Sequence, residues 1–102
     1  MGDMTIVVGG LRLRNPVIAA AGTFGFGAEY GEIYDPARLG AVCTKGLTLR
    51  PRDGNPPPRL HETACGLLNS IGLQNPGIDA FIREELPRMK EQGITVIANV
   101  LS

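Results

Sequence analysis

Lys45 is the residue of this sequence whose position most directly suggests chemistry. It is one of only two lysines, and it directly follows the apolar run 41–44. An unpaired charge is costly to bury, so its ammonium must reach solvent or a ligand. Asn99 ends the later apolar run 94–98 in the same way, and ligands of parallel α/β proteins bind at such strand ends. Position alone leaves two interpretations of Lys45 open, a ligand contact and a side chain that only extends to solvent.

A group of polar side chains in residues 66–77 offers hydrogen-bond donors and acceptors together. Asn69, Ser70, Gln74 and Asn75 lie there among apolar residues and glycines that allow close backbone approach. Each amide both donates and accepts, which suits the edge of a planar, uncharged ligand. The same amides are also suited to capping turns and the start of a helix, and the two interpretations carry equal weight.

The strands that would position these residues are indicated by apolar runs and glycine turns. Residues 5–8 and 11–14 flank a Gly-Gly pair, which predicts a β-hairpin. The apolar runs 17–21, 41–44 and 94–98 do not alternate with polar residues, which predicts strands of a parallel sheet covered on both faces. Helical patterns lie between these runs, so the order is that of an α/β protein.

Two helical segments are predicted between the strands. Asp35 and Pro36 provide an N-cap and a first helical residue, and Gly40 ends that segment. Apolar residues recur at helical spacing over 78–89, in a helix that Asn75-Pro76 would open and Gly93 would end. Pro87 lies inside this pattern and should kink or split the helix.

The stretch 45–77 shows no clear periodicity and is rich in glycine and proline, which predicts an ordered loop with a functional role.

The spacing of charged residues predicts ion pairs in the helix and in this loop. On the helix, Glu84 and Arg88 have i,i+4 spacing. The loop charges expected to pair are Arg50, Arg52 and Arg59 with Asp53 and Glu62.

Composition limits the classes of function. The 102 residues carry 10 basic and 10 acidic side chains, a balance that disfavours nucleic-acid and polybasic membrane binding. Apolar residues make up 43%, enough for a core, but no run approaches the roughly 20 residues that span a membrane. Cys43, Cys65 and His61 have no metal-like spacing, so we expect no metal site and reduced thiols in a cytosolic protein.

Four segments together resemble the class 1 dihydroorotate dehydrogenases, and the likeness is greatest to the catalytic subunit of the NAD-linked subclass (1B). They read NPVIAAAG (15–22), TKGLT (44–48), PRDGNPPPR (51–59) and LNSIGLQNPG (68–77). The resemblance extends from about residue 5 to residue 100. It implies an α/β fold that is the N-terminal segment of a (β/α)8 TIM barrel, preceded by a short β-hairpin. Residues 1–102 would form one partial domain with about three of the barrel's eight strands.

The resemblance also implies oxidation of dihydroorotate to orotate in pyrimidine (UMP) biosynthesis, with FMN as hydride acceptor. It implies substrate contacts from Lys45, Asn69, Ser70, Ile71, Gly72 and Leu73. It implies FMN contacts from Ala21, Gly22, Lys45, Gly46 and Asn99. The family's catalytic base is a cysteine on a loop that would lie beyond residue 102, and neither Cys43 nor Cys65 matches it. No catalytic base is therefore expected within this chain, and the chain alone should be inactive.

The resemblance further implies an electron-transfer subunit containing FAD and an iron–sulfur cluster, homo-oligomerisation of the full-length enzyme, and a cytoplasmic location. Two alternatives remain open. One is another FMN-dependent barrel that acts on pyrimidines, such as a dihydropyrimidine dehydrogenase. The other is a non-catalytic half-barrel that associates with a partner through exposed strand edges and apolar faces.

Overall fold

The computed structural model describes residues 2–102, so Met1, the first residue of the predicted domain, lies outside it. An antiparallel hairpin pairs β1 (Ile6–Val8) with β2 (Leu11–Leu13). Its turn consists of Gly9 and Gly10, whose φ angles are 54° and 82°. A tight hairpin turn of this kind needs positive φ at both central residues, which glycine adopts without steric cost. The predicted hairpin is confirmed.

A parallel sheet follows, with strand order β3-β4-β7. Its strands are β3 (Ile18–Ala19), β4 (Ala41–Cys43) and β7 (Val96–Ile97). In register, Ala19 lies opposite Val42 and Cys43 lies opposite Ile97. The α/β class and the parallel arrangement of the three runs are confirmed, although each strand is shorter than the apolar run that predicted it.

Burial differs between the strands. Val42 at the centre of β4 is 0% exposed, as expected for a strand covered on both faces. The first run is different, because Val17 is 53% exposed and Ile18 is 39% exposed. The prediction that this strand is covered on both faces is therefore wrong within the described residues. The physical reason is its place at the edge of the sheet, where it pairs only with β4.

The connection between β3 and β4 contains two short 3-10 turns, Ala28–Tyr30 and Pro36–Arg38. The side chain of Asp35 accepts a hydrogen bond of 3.0 Å from the backbone N–H of Ala37, so the predicted N-cap is confirmed. This bond fixes where the chain turns into β4, because a capped first turn satisfies an otherwise unpaired backbone donor.

The second connection is a helical run in three parts: α1 (Ile78–Ala80), a π turn (Phe81–Glu85) and α2 (Leu86–Glu91). The run begins after Gly77 rather than at Asn75. The N–H of Leu86 donates to Phe81 O, one residue farther back than in an α-helix. Pro87 lies in the first turn of α2, directly after this π turn, so the helical run is divided beside the proline as predicted, although the helical backbone continues. Gly93, with φ 77°, follows the helix end as predicted.

The core lies between the helical run and the sheet. Phe81 and Met89 project from the helical run onto β4 and onto the chain beyond it. The fully formed core consists of Val42, Leu47, Phe81, Met89 and Ile94. Burying such side chains gives roughly 1.5–3 kcal/mol each, so this packing fixes the sheet that carries the strand ends.

The stretch 45–77 contains an antiparallel hairpin, β5 (Leu60–Thr63) and β6 (Gly66–Asn69), in which Leu60 lies opposite Asn69. The prediction of a loop is wrong for these residues. Every residue of both strands is exposed, so neither face shows the alternation that marks a half-buried strand. The turn at Ala64-Cys65 also lacks the glycine pair that identified the first hairpin.

The predicted ion pairs are not formed. Arg88 pairs with Glu85 at 3.4 Å rather than with Glu84, and this is the only ion pair within residues 2–102. The guanidinium of Arg59 instead donates to backbone oxygens and an amide. Its acceptors are Asn55 O at 2.7 Å, Asp53 O at 3.0 Å and Gln74 Oε1 at 2.6 Å. Arg59 therefore organises the loop through backbone and amide oxygens rather than through an acidic side chain.

Cys43 and Cys65 are both free thiols, as expected. In the part of the chain that the structure describes, no helix has the length and apolar character needed to cross a membrane.

A candidate ligand site at the strand ends

A cavity of about 260 Å³ lies at the carboxyl ends of the three parallel strands. Each strand contributes the residues that follow it: Ala21 and Gly22 after β3, Lys45 and Gly46 after β4, and Asn99 and Leu101 after β7. Ile71 and Leu73, beyond the second hairpin, complete the lining. Because carboxyl ends of parallel strands meet at one edge of a sheet, residues far apart in sequence converge there.

The cavity gathers every residue expected to contact FMN, and it also gathers Lys45, Ile71 and Leu73 of those expected to contact substrate. Asn69 and Ser70 lie elsewhere, along a shallow groove of about 120 Å³ that they share with Leu60 and His61. Gly72 lines neither space. The structure thus brings Lys45 together with the residues expected to contact FMN, but it places Asn69 and Ser70 outside that cavity.

Lys45 is half-buried and also lines a second cavity, of about 400 Å³, with Phe26, Arg52 and Asp53 among its other walls, but it forms no ion pair with Asp53. The one ion pair formed by the described residues involves neither this lysine nor a neighbour of it. The ammonium is therefore not neutralised by a carboxylate within 4.0 Å in this part of the chain. A half-buried cation without a counter-ion at a cavity favours an anionic ligand.

The ladder between β4 and β7 shifts by one residue beside Lys45. Thr44 N donates to Ile97 O at 2.9 Å, and the next bond from this side joins Leu47 N to Asn99 O at 2.8 Å. Between these two bonds the chain after β4 advances three residues, from Thr44 to Leu47, whereas the chain after β7 advances two, from Ile97 to Asn99. The extra residue is a β-bulge at Lys45 and Gly46. Pairing resumes with Leu47 opposite Val100.

The segment that leads from the second hairpin to the cavity is held by Asn55. Its N–H donates to Ile71 O at 2.9 Å and its Nδ2 donates to Ser70 Oγ at 2.8 Å. Gly72, with φ 80°, approaches so closely that an added Cβ would lie 2.6 Å from Asn55 N. Only glycine fits there, since both the space and the backbone conformation exclude a side chain.

Asn75 is buried and acts within the backbone rather than toward the cavity. Its Oδ1 accepts from the N–H groups of Thr48 at 3.1 Å and Gly77 at 2.9 Å, and its Nδ2 donates to Leu73 O at 2.7 Å. The capping interpretation is therefore correct for this amide. Gln74 is likewise engaged by Arg59, whereas Asn69 is exposed on β6.

Sequence reasoning did not single out Thr44, Asn55 or the organising role of Arg59. Asn55 and Arg59 lie within the PRDGNPPPR segment, and Thr44 directly precedes Lys45. The sequence therefore indicated these residues only through the segments 44–48 and 51–59 to which they belong. Nothing in their local pattern indicates the distant backbone groups that they bind.

The sequence profile of the family described as "Dihydroorotate dehydrogenase" matches residues 4–102. The chain belongs to the dihydroorotate dehydrogenase family. The resemblance noted from the sequence segments is thereby confirmed for nearly the whole chain.

Several dihydroorotate dehydrogenases are similar in sequence. The catalytic subunit of dihydroorotate dehydrogenase B (NAD(+)) from Thermoanaerobacter pseudethanolicus is 58% identical over 98 residues, which cover 96% of this chain and 32% of that protein. The corresponding subunit from Petrotoga mobilis is 57% identical, with 98% and 33% covered. A putative dihydroorotate dehydrogenase A (fumarate) from Aquifex aeolicus is 54% identical, with 96% and 32% covered. The chain thus spans about a third of the length of these curated relatives.

Among solved structures, the crystal structure of DHODH from Eimeria tenella matches with a TM-score of 0.61 and 23% identity. The match covers 96% of this chain and 28% of that one. At this identity the likeness supports the fold of the dihydroorotate dehydrogenase family and nothing finer.

Proposed function

We propose that this chain forms part of an enzyme that oxidises dihydroorotate to orotate in pyrimidine biosynthesis. The observation that carries the proposal is the cavity in which Lys45, Gly46 and Asn99 meet Ala21 and Gly22 at the strand ends. Membership of the dihydroorotate dehydrogenase family supplies the substrate class, and the unneutralised Lys45 agrees with an anionic substrate.

The proposed architecture is the N-terminal segment of a (β/α)8 barrel preceded by the β1-β2 hairpin. The repeating unit of such a barrel is a parallel strand followed by a helical connection, and three such parallel strands are present here. Both outer strands, β3 and β7, pair on one side only, and Val17 and Ile18 are exposed beside the outer edge. Open edges of a parallel sheet are where further barrel strands would pair.

The residues present fit one side of an FMN group. A Cβ added at Gly22 would meet no heavy atom within 4 Å, so a flat ring can approach the backbone there. Lys45 would place a positive charge beside it, and Asn99 would offer an amide. When bound, FMN would supply the acceptor for the hydride that leaves dihydroorotate. The remaining contacts would come from other parts of the barrel.

In this proposal Lys45 binds the carboxylate of dihydroorotate through a charge-assisted hydrogen bond. Partial burial lowers the local dielectric, which strengthens that bond relative to one formed in open water. The substrate segment consists of Asn69, Ser70, Ile71, Gly72 and Leu73. Support for it comes from Ile71 and Leu73, which line the cavity, and from the exposed amide of Asn69. The catalytic base lies outside this chain in the proposal.

The proposed assembly includes an electron-transfer subunit with FAD and an iron–sulfur cluster, and homo-oligomerisation of the complete enzyme. Several relatives are named as catalytic subunits, and this name supports a separate partner subunit. A cytoplasmic location is also proposed, and the free thiols of Cys43 and Cys65 agree with a reducing compartment.

The test is an assay of the complete dehydrogenase chain, purified with FMN, on dihydroorotate and on dihydrouracil. We expect flavin reduction by dihydroorotate and none by dihydrouracil, which lacks the carboxylate that Lys45 would bind. Reduction by dihydrouracil alone would favour another pyrimidine oxidoreductase. Reduction by neither compound, in protein that retains FMN, would overturn the proposal. The 102-residue chain alone should show no turnover.

A further inference from the structure

The side-chain hydroxyl of Thr44 occupies the point where the β4-β7 ladder becomes irregular. We propose that Thr44 is a positioning residue, whose hydroxyl maintains the bulge that presents Lys45 and Asn99 to the cavity. The enzymatic consequence of this inference rests on the proposed function, whereas its structural part stands on the hydrogen bonds alone.

The hydroxyl replaces a backbone acceptor. In a regular parallel ladder the bonds are evenly spaced, and the N–H of Asn99 would continue the series by donating to the carbonyl of Thr44. It donates instead to Thr44 Oγ1, at 3.1 Å. The hydroxyl in turn donates to Lys45 O at 3.0 Å. One side chain therefore satisfies a donor on one strand and an acceptor on the other.

Burial makes this arrangement consequential. Thr44 is 0% exposed, so its position offers no ready replacement by bulk water. A backbone N–H that loses its partner away from water costs about as much as a lost hydrogen bond plus the desolvation of the group. The Asn99 N–H thus has a strong preference for the hydroxyl, and with it for the bulged backbone.

The bulge determines which residues of the two strand ends line the cavity. Lys45 and Gly46 are the residues between the last regular bond at Thr44 N and the resumed bond at Leu47 N. An extra residue on one strand re-aims the neighbouring side chains, a device that is common beside active sites. Lys45 and Gly46 both line the cavity here, together with Asn99 across the ladder. Without the bulge, successive residues would point to opposite faces of the sheet.

The experiment compares three variants of the complete dehydrogenase chain. Thr44→Val keeps the shape and removes the hydroxyl, and Thr44→Ser keeps the hydroxyl and removes the methyl group. Val42→Ala, at a buried neighbour on β4, is the control for general destabilisation. The first readout is amide hydrogen exchange of Asn99 in protein labelled with 15N-asparagine. The second is the Kd of orotate, measured from the change in flavin absorbance.

We expect Thr44→Val to accelerate Asn99 exchange about tenfold relative to the global change and to raise the orotate Kd about tenfold, as loss of one buried hydrogen bond implies. Thr44→Ser should restore both to within about threefold of wild type. Val42→Ala should lower the melting temperature without a selective effect on Asn99 or on orotate. If Thr44→Val does not fold, Thr44→Ala removes the hydroxyl without bulk and takes its place.

If the amide of Asn99 exchanges at the wild-type rate in Thr44→Val or Thr44→Ala, the hydroxyl does not maintain the bulge and the inference is overturned. Faster exchange with an unchanged orotate Kd would also overturn it, since the bulge would then not serve the ligand. If wild-type protein binds no orotate, the proposed function fails, and the exchange data still decide whether Thr44 maintains the bulge.

Discussion

Asn75 and Thr48 are joined side chain to backbone and side chain to side chain, within the buried part of the molecule. The Oδ1 of Asn75 accepts from Thr48 N at 3.1 Å, and its Nδ2 lies 3.0 Å from Thr48 Oγ1. The same Oδ1 accepts from Gly77 N at the start of the helical run. One amide thus connects the chain after β4, the approach to the cavity and the beginning of α1.

Replacing Asn75 should therefore destabilise the protein more than replacing an exposed amide residue would. In Asn75→Ala the N–H groups of Thr48 and Gly77 lose their acceptor in a buried setting, and we expect a loss of about 2–4 kcal/mol. Gln92→Ala, at an exposed position after α2, is the matched control and should change stability by less than about 0.5 kcal/mol. Thermal unfolding measures both, and equal melting temperatures for the two variants would contradict this assignment.

Leu73 has a backbone conformation that leucine rarely adopts, with φ 56°. Nδ2 of Asn75 donates to its carbonyl at 2.7 Å and so holds it there. Leu73→Gly should change stability by less than about 1 kcal/mol, because relief of the left-handed conformation offsets the added entropy of the unfolded chain. Leu73→Val should cost about 1–2 kcal/mol, since a β-branched side chain tolerates this region poorly. Denaturant unfolding gives the order, and a valine variant more stable than the glycine variant would contradict it.

Arg59 holds the segment before the hairpin against the segment after it. It donates to Asn55 O, Asp53 O and Gln74 Oε1, and its own carbonyl accepts from Ser70 N at 2.7 Å. Arg59→Lys retains the charge and loses the planar set of donors. We expect amide exchange in residues 70–74 to accelerate about tenfold in this variant.

The control for Arg59 is Arg12→Lys, at an exposed position on β2. Hydrogen exchange followed by mass spectrometry resolves the peptide that contains residues 70–74. Exchange that stays at the wild-type rate in Arg59→Lys would show that the charge alone, rather than the geometry of the guanidinium, organises the loop.

Gly46 leaves little room for a side chain at the cavity. A Cβ there would lie 2.5 Å from Cδ1 of Leu101 and 3.7 Å from Nδ2 of Asn99. Gly46→Ala should force Leu101 to move within the cavity that it lines, at a cost of about 1–3 kcal/mol, and should lower FMN retention. Gly66→Ala is the control, because a Cβ there meets nothing within 4 Å. Flavin content after gel filtration measures the effect; equal retention in both variants would rule it out.

The parallel strands of the sheet could be predicted because continuous apolar runs are a property of local sequence. The residues 41–44 show this best, since they are apolar or small, and all are buried as expected except the half-buried Cys43. The exposure of Ile18 could not be predicted, because it depends on what pairs with the outer edge of β3. The hairpin at 60–69 was missed for a related reason: both of its faces are exposed, so burial imposes no alternation on its sequence.

The convergence of candidate residues at the strand ends could be predicted, and the rest of the candidate site less well. Lys45 and Asn99 were singled out because each follows an apolar run, and the structure places both at one cavity because parallel strands bring such positions together. The bulge at Lys45 and Gly46 has no local sign in the sequence, because the Thr44 hydroxyl takes the place of a backbone carbonyl for a partner 55 residues away. The amide of Asn75 was equally ambiguous, because a capping amide and a ligand-binding amide are the same residue type.

In the proposed function Lys45 binds the carboxylate of dihydroorotate, and the orotate Kd of Lys45→Met in the complete enzyme tests this contact. Methionine keeps the length of the side chain and removes the charge. We expect the Kd to rise about 10–100-fold, as loss of a charge-assisted hydrogen bond implies, with FMN still bound. Lys90→Met, at the other lysine, should leave the Kd unchanged. An orotate Kd within twofold of wild type in Lys45→Met would show that Lys45 does not bind the carboxylate.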